Sequence, residues 1–378
     1  MAEAGSGIHP KPVLGLDLQV SRMIRASDFD YVLPPELVAR HPSARRDASR
    51  LLVMSRDGDT FIRHRHFHDL PEFLRRGDLL VVNDTRVIPA RLMARRSGTG
   101  GAVEIFLIEE KEPGVWLAMV RPGRKIITGE RLIIAPREFE AEVLSFAGQG
   151  ERIIRFHTSL EFSEALRRYG HTPLPPYILK ARKEAHEDSD VSDSEQDRER
   201  YQTIYAREGA SVAAPTAGLH FTEELLRQCK EAGVGLARVE LDVGAGTFLP
   251  VKTEDVSEHP MHFERYKIGE EAVTLIQSTR EHGGRVIVVG TTVVRVLETV
   301  ATHPEGLRAC EGSTDLFILP GFPFRMVDGL ITNFHLPRST LLMLVSAFAG
   351  RENVLAAYDE AVREQYRFYS YGDAMLIL

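Results

Sequence analysis

The chain has 378 residues, 43% of them hydrophobic and 27% charged, with a formal net charge of −7. That length suits two domains of ordinary size, and no stretch reaches the roughly 20 consecutive apolar residues of a membrane helix. Cys229 and Cys310 stand far apart and alone, which excludes a CxxC redox centre, a zinc ribbon or a cysteine-ligated iron–sulfur cluster and points to a cytoplasmic protein.

Residues 1–22 read as a loose N-terminal extension, with neither the charged start and cleavage site of a secretory signal nor a clear amphipathic period; Met23 is an alternative start. Pro34 and Pro35 open a short helix, Glu36 to Arg40, that stops before His41-Pro42. Leu51 to Met54 is a strand, Arg56 to Asp59 a hairpin turn, and Leu70 to Arg76 a short helix closed by Gly77. Leu79 to Val82 is a buried strand running into Asn83-Asp84-Thr85.

Between residues 85 and 159 short β-branched segments alternate with turns at Ser97-Gly98, Pro113-Gly114, Pro122-Gly123, Thr128-Gly129 and Gly148 to Gly150. Strands are expected at 103–108, 115–120, 131–134, 140–144 and 152–156, and turns this regular without a helical period indicate a small antiparallel barrel. A helix from Leu160 to Tyr169 leads to a proline-stiffened extended stretch, His171 to Tyr177. Residues 184–199 hold eight acids and one arginine and read as a disordered acidic loop.

The rhythm then changes. Strands at 237–243, 285–289 and 329–333 each run into a polar loop and, twice, directly into a helix; Leu341 to Val345 lies in a buried one. Such units specify an α/β fold, a largely parallel sheet domain (residues 23–84 and 160–378) with an inserted small antiparallel β-barrel domain (residues 85–159).

In sheets of this kind ligands gather at the carboxyl ends of strands. Four polar loops meet that description: Pro215 to Phe221, Asp242 to Phe248, Gly290 to Thr292, and Asn333 to Thr340. Gly244-Ala245-Gly246 taken alone is a short structural turn, since Leu249 stands where a dinucleotide fingerprint needs its third glycine, and no Walker A loop occurs. Pro260 breaks any helix that would align His259 and His262 on a metal. No metal is expected. Residues 40–125 carry 17 Lys and Arg against 11 Asp and Glu, a basic face on an acidic chain.

Several motifs in fixed order are similar to those of the S-adenosylmethionine:tRNA ribosyltransferase-isomerase family: VVNDTRVIPARL (81–92), HTPLPPYI (171–178), RYQTIYA (200–206), APTAGLHFTEELL (214–226), LDVGAGTFLPV (241–251), HPMHFERY (259–266), VGTTVVRVLET (289–299), the run 314–350 and YSYGDAMLIL (369–378). The resemblance covers nearly the whole chain from Met23 and departs in the N-terminal extension and the acidic loop. It implies an α/β domain with an inserted barrel, S-adenosylmethionine as co-substrate, and tRNA carrying 7-aminomethyl-7-deazaguanine at the wobble position. Epoxyqueuosine, adenine and methionine are the implied products. No membrane partner is implied, and the sequence is compatible with a monomer.

That chemistry needs a base for the acidified ribose methylene, a proton donor for adenine, and exclusion of water. On the matching motifs, His220, Asp242 and then His335 are expected to transfer protons. Gly218, Gly244, Gly246, Thr247, Thr291 and Thr292 are expected to contact the cofactor, and Asp84, Thr85 and Arg86 to orient substrate. Arg45, Arg46, Arg50, Arg91, Arg95, Arg96 and Arg124 are the candidate phosphate contacts. Tyr201, Tyr205 or Phe221 is the candidate for stacking on an anticodon base. The competing readings are an RNA methyltransferase, which would release S-adenosylhomocysteine, and a non-catalytic RNA-binding protein, which would consume no cofactor.

Overall fold

The computed structural model describes residues 24–56, 62–148, 150–187, 193–207, 209, 211–244, 251 and 253–378. In chain order the strands are β1 (Arg50–Met54), β2 (Ile62–His66), β3 (Leu79–Asn83), β4 (Arg91–Arg96), β5 (Ala102–Glu112), β6 (Val115–Arg121), β7 (Arg131–Ala135), β8 (Phe139–Phe146), β9 (Glu151–Thr158), β10 (Gly170–His171), β11 (Gly235–Leu241), β12 (Glu264–Ile268), β13 (Val286–Val289), β14 (Cys310–Thr314), β15 (Gly329–Asn333) and β16 (Ala374–Ile377). The helices are α1 (Phe162–Tyr169), α2 (Pro176–Glu184), α3 (Glu195–Arg200), α4 (Glu223–Glu231), α5 (Glu270–Glu281), α6 (Thr291–Ala301), α7 (Thr340–Ala349) and α8 (Arg351–Arg363).

Among the described residues nine strands form one sheet, in the order β14-β12-β11-β3-β13-β15-β16-β1-β2. The four central strands, β11, β3, β13 and β15, run parallel, but β15–β16, β1–β2, β11–β12 and β12–β14 pair antiparallel. The sheet is therefore mixed rather than largely parallel. The antiparallel pairs lie toward the two edges of the sheet, and β16 reaches its place beside β15 only after α7 and α8. Alternation along β3 explains the layers: Leu79 and Val81 enter one core with Val293, Val296 and Leu342, while Leu80 and Val82 enter another with Phe67, Phe221 and Leu225. Burial on both faces is why this strand reads as an unbroken apolar run.

Between β3 and β11 the chain builds the barrel. Strands β4-β5-β6-β9-β8-β7 follow one another antiparallel and β4 closes on β7, giving a closed six-stranded barrel with β10 added beside β4. Inward residues such as Leu92, Ile105, Ala118, Leu132, Val143 and Ile154 fill it, and α1 adds Ala165 and Leu166.

Several local expectations change. The expected helices near 36–40 and 70–76 are single 3-10 turns, Pro35–Leu37 and Phe67–Phe73. The proline-rich stretch ends in α2, because Pro176 stands at the first helical position, where its missing N–H costs nothing. The acidic segment is ordered on both flanks of residues 188–192, which lie outside the described residues. Asp193 bonds His171 at 2.7 Å and the Thr172 amide at 2.8 Å, and Asp197 receives both Arg182 Nη atoms at 2.8 Å. Paired and buried, these carboxylates anchor α3 instead of repelling into a loop. The expected extension 1–22 and most of the turn after Arg56 also lie outside the described residues.

Candidate active site at the carboxyl edge of the sheet

The ends of β3, β11, β13 and β15 meet the 3-10 turn Thr216–His220 and the segment before β16. A cleft opens there, lined among others by Ala217, Val243, Thr291, Thr292, Thr332, Asn333, His335, Tyr369 and Ser370. Its floor follows from the local sequence. Gly290 takes φ +93°, a left-handed turn that lets β13 pass at once into α6 and aims the helix N-terminus at the cleft.

His220 sits behind this cleft, buried, with its ring stacked on Phe67 at 4.9 Å between centroids. Asn333 holds it from the front. The Asn333 amide nitrogen donates to Tyr369 O at 3.1 Å, which fixes the orientation of the amide, and also lies 3.1 Å from His220 Nε2. Nε2 is therefore the acceptor, and Nδ1–H donates to Ser49 Oγ at 2.7 Å. Burial, reinforced by the Arg367 and Arg46 guanidinium groups, pushes the His220 pKa down to about 3. His335 lines the cleft itself and pairs with Thr332 Oγ1 at 2.7 Å; burial lowers it to about 3 as well. At neutral pH both imidazoles are uncharged.

Asp242 lies at the end of β11, and its Oδ1 accepts from Thr85 Oγ1 at 2.7 Å. The neighbouring Val243, not Asp242, lines the cleft. Asn83 ties this corner together, donating to Leu241 O at 2.9 Å and accepting from the Leu241 and Thr85 amides. Asp84 is half-buried, which raises its carboxyl above the usual range. Arg86 is exposed, but its Nε and Nη2 donate to the carbonyls of Arg207 and Ala206.

Other expected residues serve the fold. At Gly218 a Cβ would stand 2.1 Å from Tyr205 Oη, and its amide donates to Pro215 O at 2.8 Å. The Gly244 amide is likewise taken, by Glu264 Oε1 at 2.9 Å, and Glu264 in turn forms a buried ion pair with Arg295. Gly246 and Thr247 lie outside the described residues. Phe221 is fully buried and meets Phe67 edge-on, and Tyr201 and Tyr205 are also closed in; none offers a face to an RNA base. Arg46 donates to three carbonyls, Glu199, Arg200 and Leu219, and Arg50 lies over the Tyr366 ring at 3.7 Å. Arg91 and Arg96 pair with Glu104 and Glu130. Arg45, Arg95 and Arg124 remain exposed.

Among the described residues, by contrast, two atoms of the cleft have no partner: Asn333 Oδ1 and Thr292 Oγ1. Asn333 was one letter in a loop already marked as polar. Residue order alone does not tell which of its side chains turns inward, and Ser49 comes from a polar segment, Arg45 to Arg50, whose arginines drew attention instead.

Comparison with known proteins agrees with this architecture. A family model described as "Queuosine biosynthesis protein" matches residues 26–377. The chain is 52% identical over 356 residues to the S-adenosylmethionine:tRNA ribosyltransferase-isomerase of Moorella thermoacetica, covering 94% of this chain and 100% of that protein. It is 54% identical over 355 residues to the same-named protein of Carboxydothermus hydrogenoformans, with the same coverage. A crystal structure of an S-adenosylmethionine tRNA ribosyltransferase from Thermotoga maritima matches with a TM-score of 0.52 and 42% identity, covering 93% of this chain and 100% of that one.

Proposed function

The chain belongs to the queuosine biosynthesis protein family, and on that premise we infer an S-adenosylmethionine:tRNA ribosyltransferase-isomerase. The enzyme moves and isomerises the ribosyl group of S-adenosylmethionine onto 7-aminomethyl-7-deazaguanine at the tRNA wobble position. Epoxyqueuosine-tRNA, adenine and methionine leave.

The observation that supports placing the reaction here is the pair of cleft atoms without a partner among the described residues, Asn333 Oδ1 and Thr292 Oγ1. A buried polar atom left open forfeits a hydrogen bond unless a ligand or water supplies it. Asn333 can offer Oδ1 only as an acceptor. The walls beside it, including Ala213, Ala217, Phe334 and Leu336, are apolar and uncharged. An acceptor among such walls suits a flat, neutral heteroaromatic ring bearing an N–H donor. On this reading adenine lies in the cleft with its amino group on Asn333.

Bound S-adenosylmethionine supplies an activated ribosyl group whose sulfonium acidifies the adjacent methylene. The protein's residues then divide the remaining work. Asp242, fixed by Thr85, takes the proton-accepting role, and a carboxylate there also opposes the sulfonium charge. His335, with one nitrogen on Thr332, exchanges a proton with the departing base. His220 acts through Asn333 as a positioning residue, since it sits behind the cleft with both ring nitrogens occupied, by Ser49 and Asn333. Thr291 and Thr292 bring the N-terminus of α6 to the ligand, and Asp84, Thr85 and Arg86 face the incoming nucleotide. Exposed Arg45, Arg95 and Arg124 contact RNA phosphates.

A product assay tests the reading. Protein incubated with S-adenosylmethionine and tRNA bearing the deazaguanine should release adenine and methionine in equal amounts, with a mass gain on the tRNA. S-adenosylhomocysteine would identify a methyltransferase instead, and tRNA binding without turnover a binding module. Asp242→Asn should abolish adenine release while tRNA still binds.

A further inference from the structure

Outside the cleft, one cluster carries chemistry that the ribosyl transfer does not use. The sequence His64-Arg65-His66-Phe67-His68-Asp69 crosses from the edge strand β2 into the 3-10 turn Phe67–Phe73. Phe67 turns into the core, and the flanking rings of His66 and His68 come out on one side, exposed, 5.3 Å apart and within 5° of parallel. One ligating atom from each of His66, His68 and Asp69 lies within 4.8 Å of the other two.

The hydrogen bonds around the cluster assign its protons. His68 Nδ1 stands 3.2 Å from the carbonyl oxygen of Asp47, so it must carry a proton and donate it. His68 Nε2, the ring nitrogen left free, faces Asp69 Oδ1 at 3.4 Å. Asp69 Oδ2 is occupied, accepting from the His66 amide at 2.9 Å. Nε2 and Oδ1 thus face each other across a gap that a bound cation can bridge. The backbone carbonyl behind His68 is the outer-shell partner that fixes the tautomer of a metal-ligating imidazole.

We propose that His66, His68 and Asp69 form a surface site for a divalent transition-metal ion of the imidazole-binding class, such as Zn²⁺ or Ni²⁺. Two imidazole nitrogens and one carboxylate oxygen are a normal three-ligand set for such ions, with water completing the coordination. The site is separate from the cleft: Phe67 stacks on His220 on its inner side, and the ion sits outside it.

Calorimetric titration of untagged full-length protein with Zn²⁺, and separately with Ni²⁺, tests this. One ion per chain should bind, and a saturating dose should raise the thermal midpoint. His66→Ala with His68→Ala should remove the binding and the thermal shift, while the unfolding curve without metal stays cooperative. Asp69→Asn, which keeps an acceptor for the His66 amide, should weaken binding about tenfold, within the range expected for loss of a supporting ligand. The proposal fails if no ion binds, or if binding survives unchanged in the double variant.

Discussion

Arg152 in the barrel and Asn333 at the sheet edge are buried to the same degree, at 3% and 2% exposure, and they show two different reasons for burying a polar group. The Arg152 guanidinium lies against Phe146 and donates to the carbonyls of Gly123, Ile126 and Glu151 at 2.6, 3.2 and 2.8 Å, its positions taken up by the chain itself. Asn333 has its nitrogen held in the same way, yet its oxygen is left open to the cleft. A satisfied buried group fixes architecture. An unsatisfied one beside a cavity awaits a ligand.

Acid should separate the two regions most strongly. The barrel's single histidine, His157, is exposed, whereas the edge buries His220 and His335, both pushed down to about 3. Unfolding returns each imidazole to its ordinary pKa near 6.5. The unfolded chain therefore binds more protons between pH 6.5 and 3, and stability is full above that window and falls as pH drops through it. From pH 7 to pH 5 the two together should remove roughly 4 kcal/mol of stability. Urea titrations at both pH values check this, and His335→Asn should reduce the loss by about half. An unchanged loss in that variant would show that other groups carry it.

Substitution should split the regions next. Asn333→Ala removes both the open acceptor and the clamp on His220, and should lower kcat/KM for S-adenosylmethionine by about 30- to 150-fold, the equivalent of about 2–3 kcal/mol. The tRNA dissociation constant should hold. Arg152→Met should do the reverse, removing a donor from three barrel carbonyls, of which Gly123 O and Glu151 O keep backbone partners, at a cost of about 1–3 kcal/mol in urea, while kcat of the folded protein stays within about twofold, as expected for a site remote from the chemistry. If Arg152→Met impaired turnover as Asn333→Ala does, the contrast between the two residues would be lost.

The same contrast explains what the sequence could reveal. The barrel was legible strand by strand, because Val103 to Ile108 and Val115 to Val120 alternate and each hairpin closes locally on a turn. Its first strand, β4, was missed; its text, RLMARR, looks like a charged loop until Leu92 and Ala94 are seen to point inward. The sheet pairs β1 with β16, with Leu52 opposite Met375, 323 residues further along the chain, and no local pattern announces such a pairing. The cleft follows that rule. Its loops were recognisable from composition and family motifs, but the partnership of Ser49, His220 and Asn333 joins three distant segments. Glycines and arginines are ambiguous for a related reason: Gly218 is closely packed against Tyr205 and Arg46 binds backbone carbonyls, and a sequence motif looks the same whether packing or ligand binding uses it.

The smallest expected effect concerns RNA, and it tests whether the barrel contributes more than architecture. Arg95 and Arg124 are exposed on the barrel, and Arg95 donates to a loop carbonyl, Gly100 O, at 3.1 Å. Arg96, one residue on, is already paired with Glu130. A guanidinium that meets a phosphate releases a counterion, so each true contact adds about 0.7 to 0.9 to the slope of log affinity against log salt. Arg95→Gln with Arg124→Gln should therefore flatten that slope by about 1.4 to 1.8, with little loss of stability. Arg96→Gln should leave the slope alone and cost stability instead, since it strips a largely buried Glu130 of its partner. Equal slopes in all three proteins would move the RNA contact off the barrel and onto the sheet domain, beside Arg45.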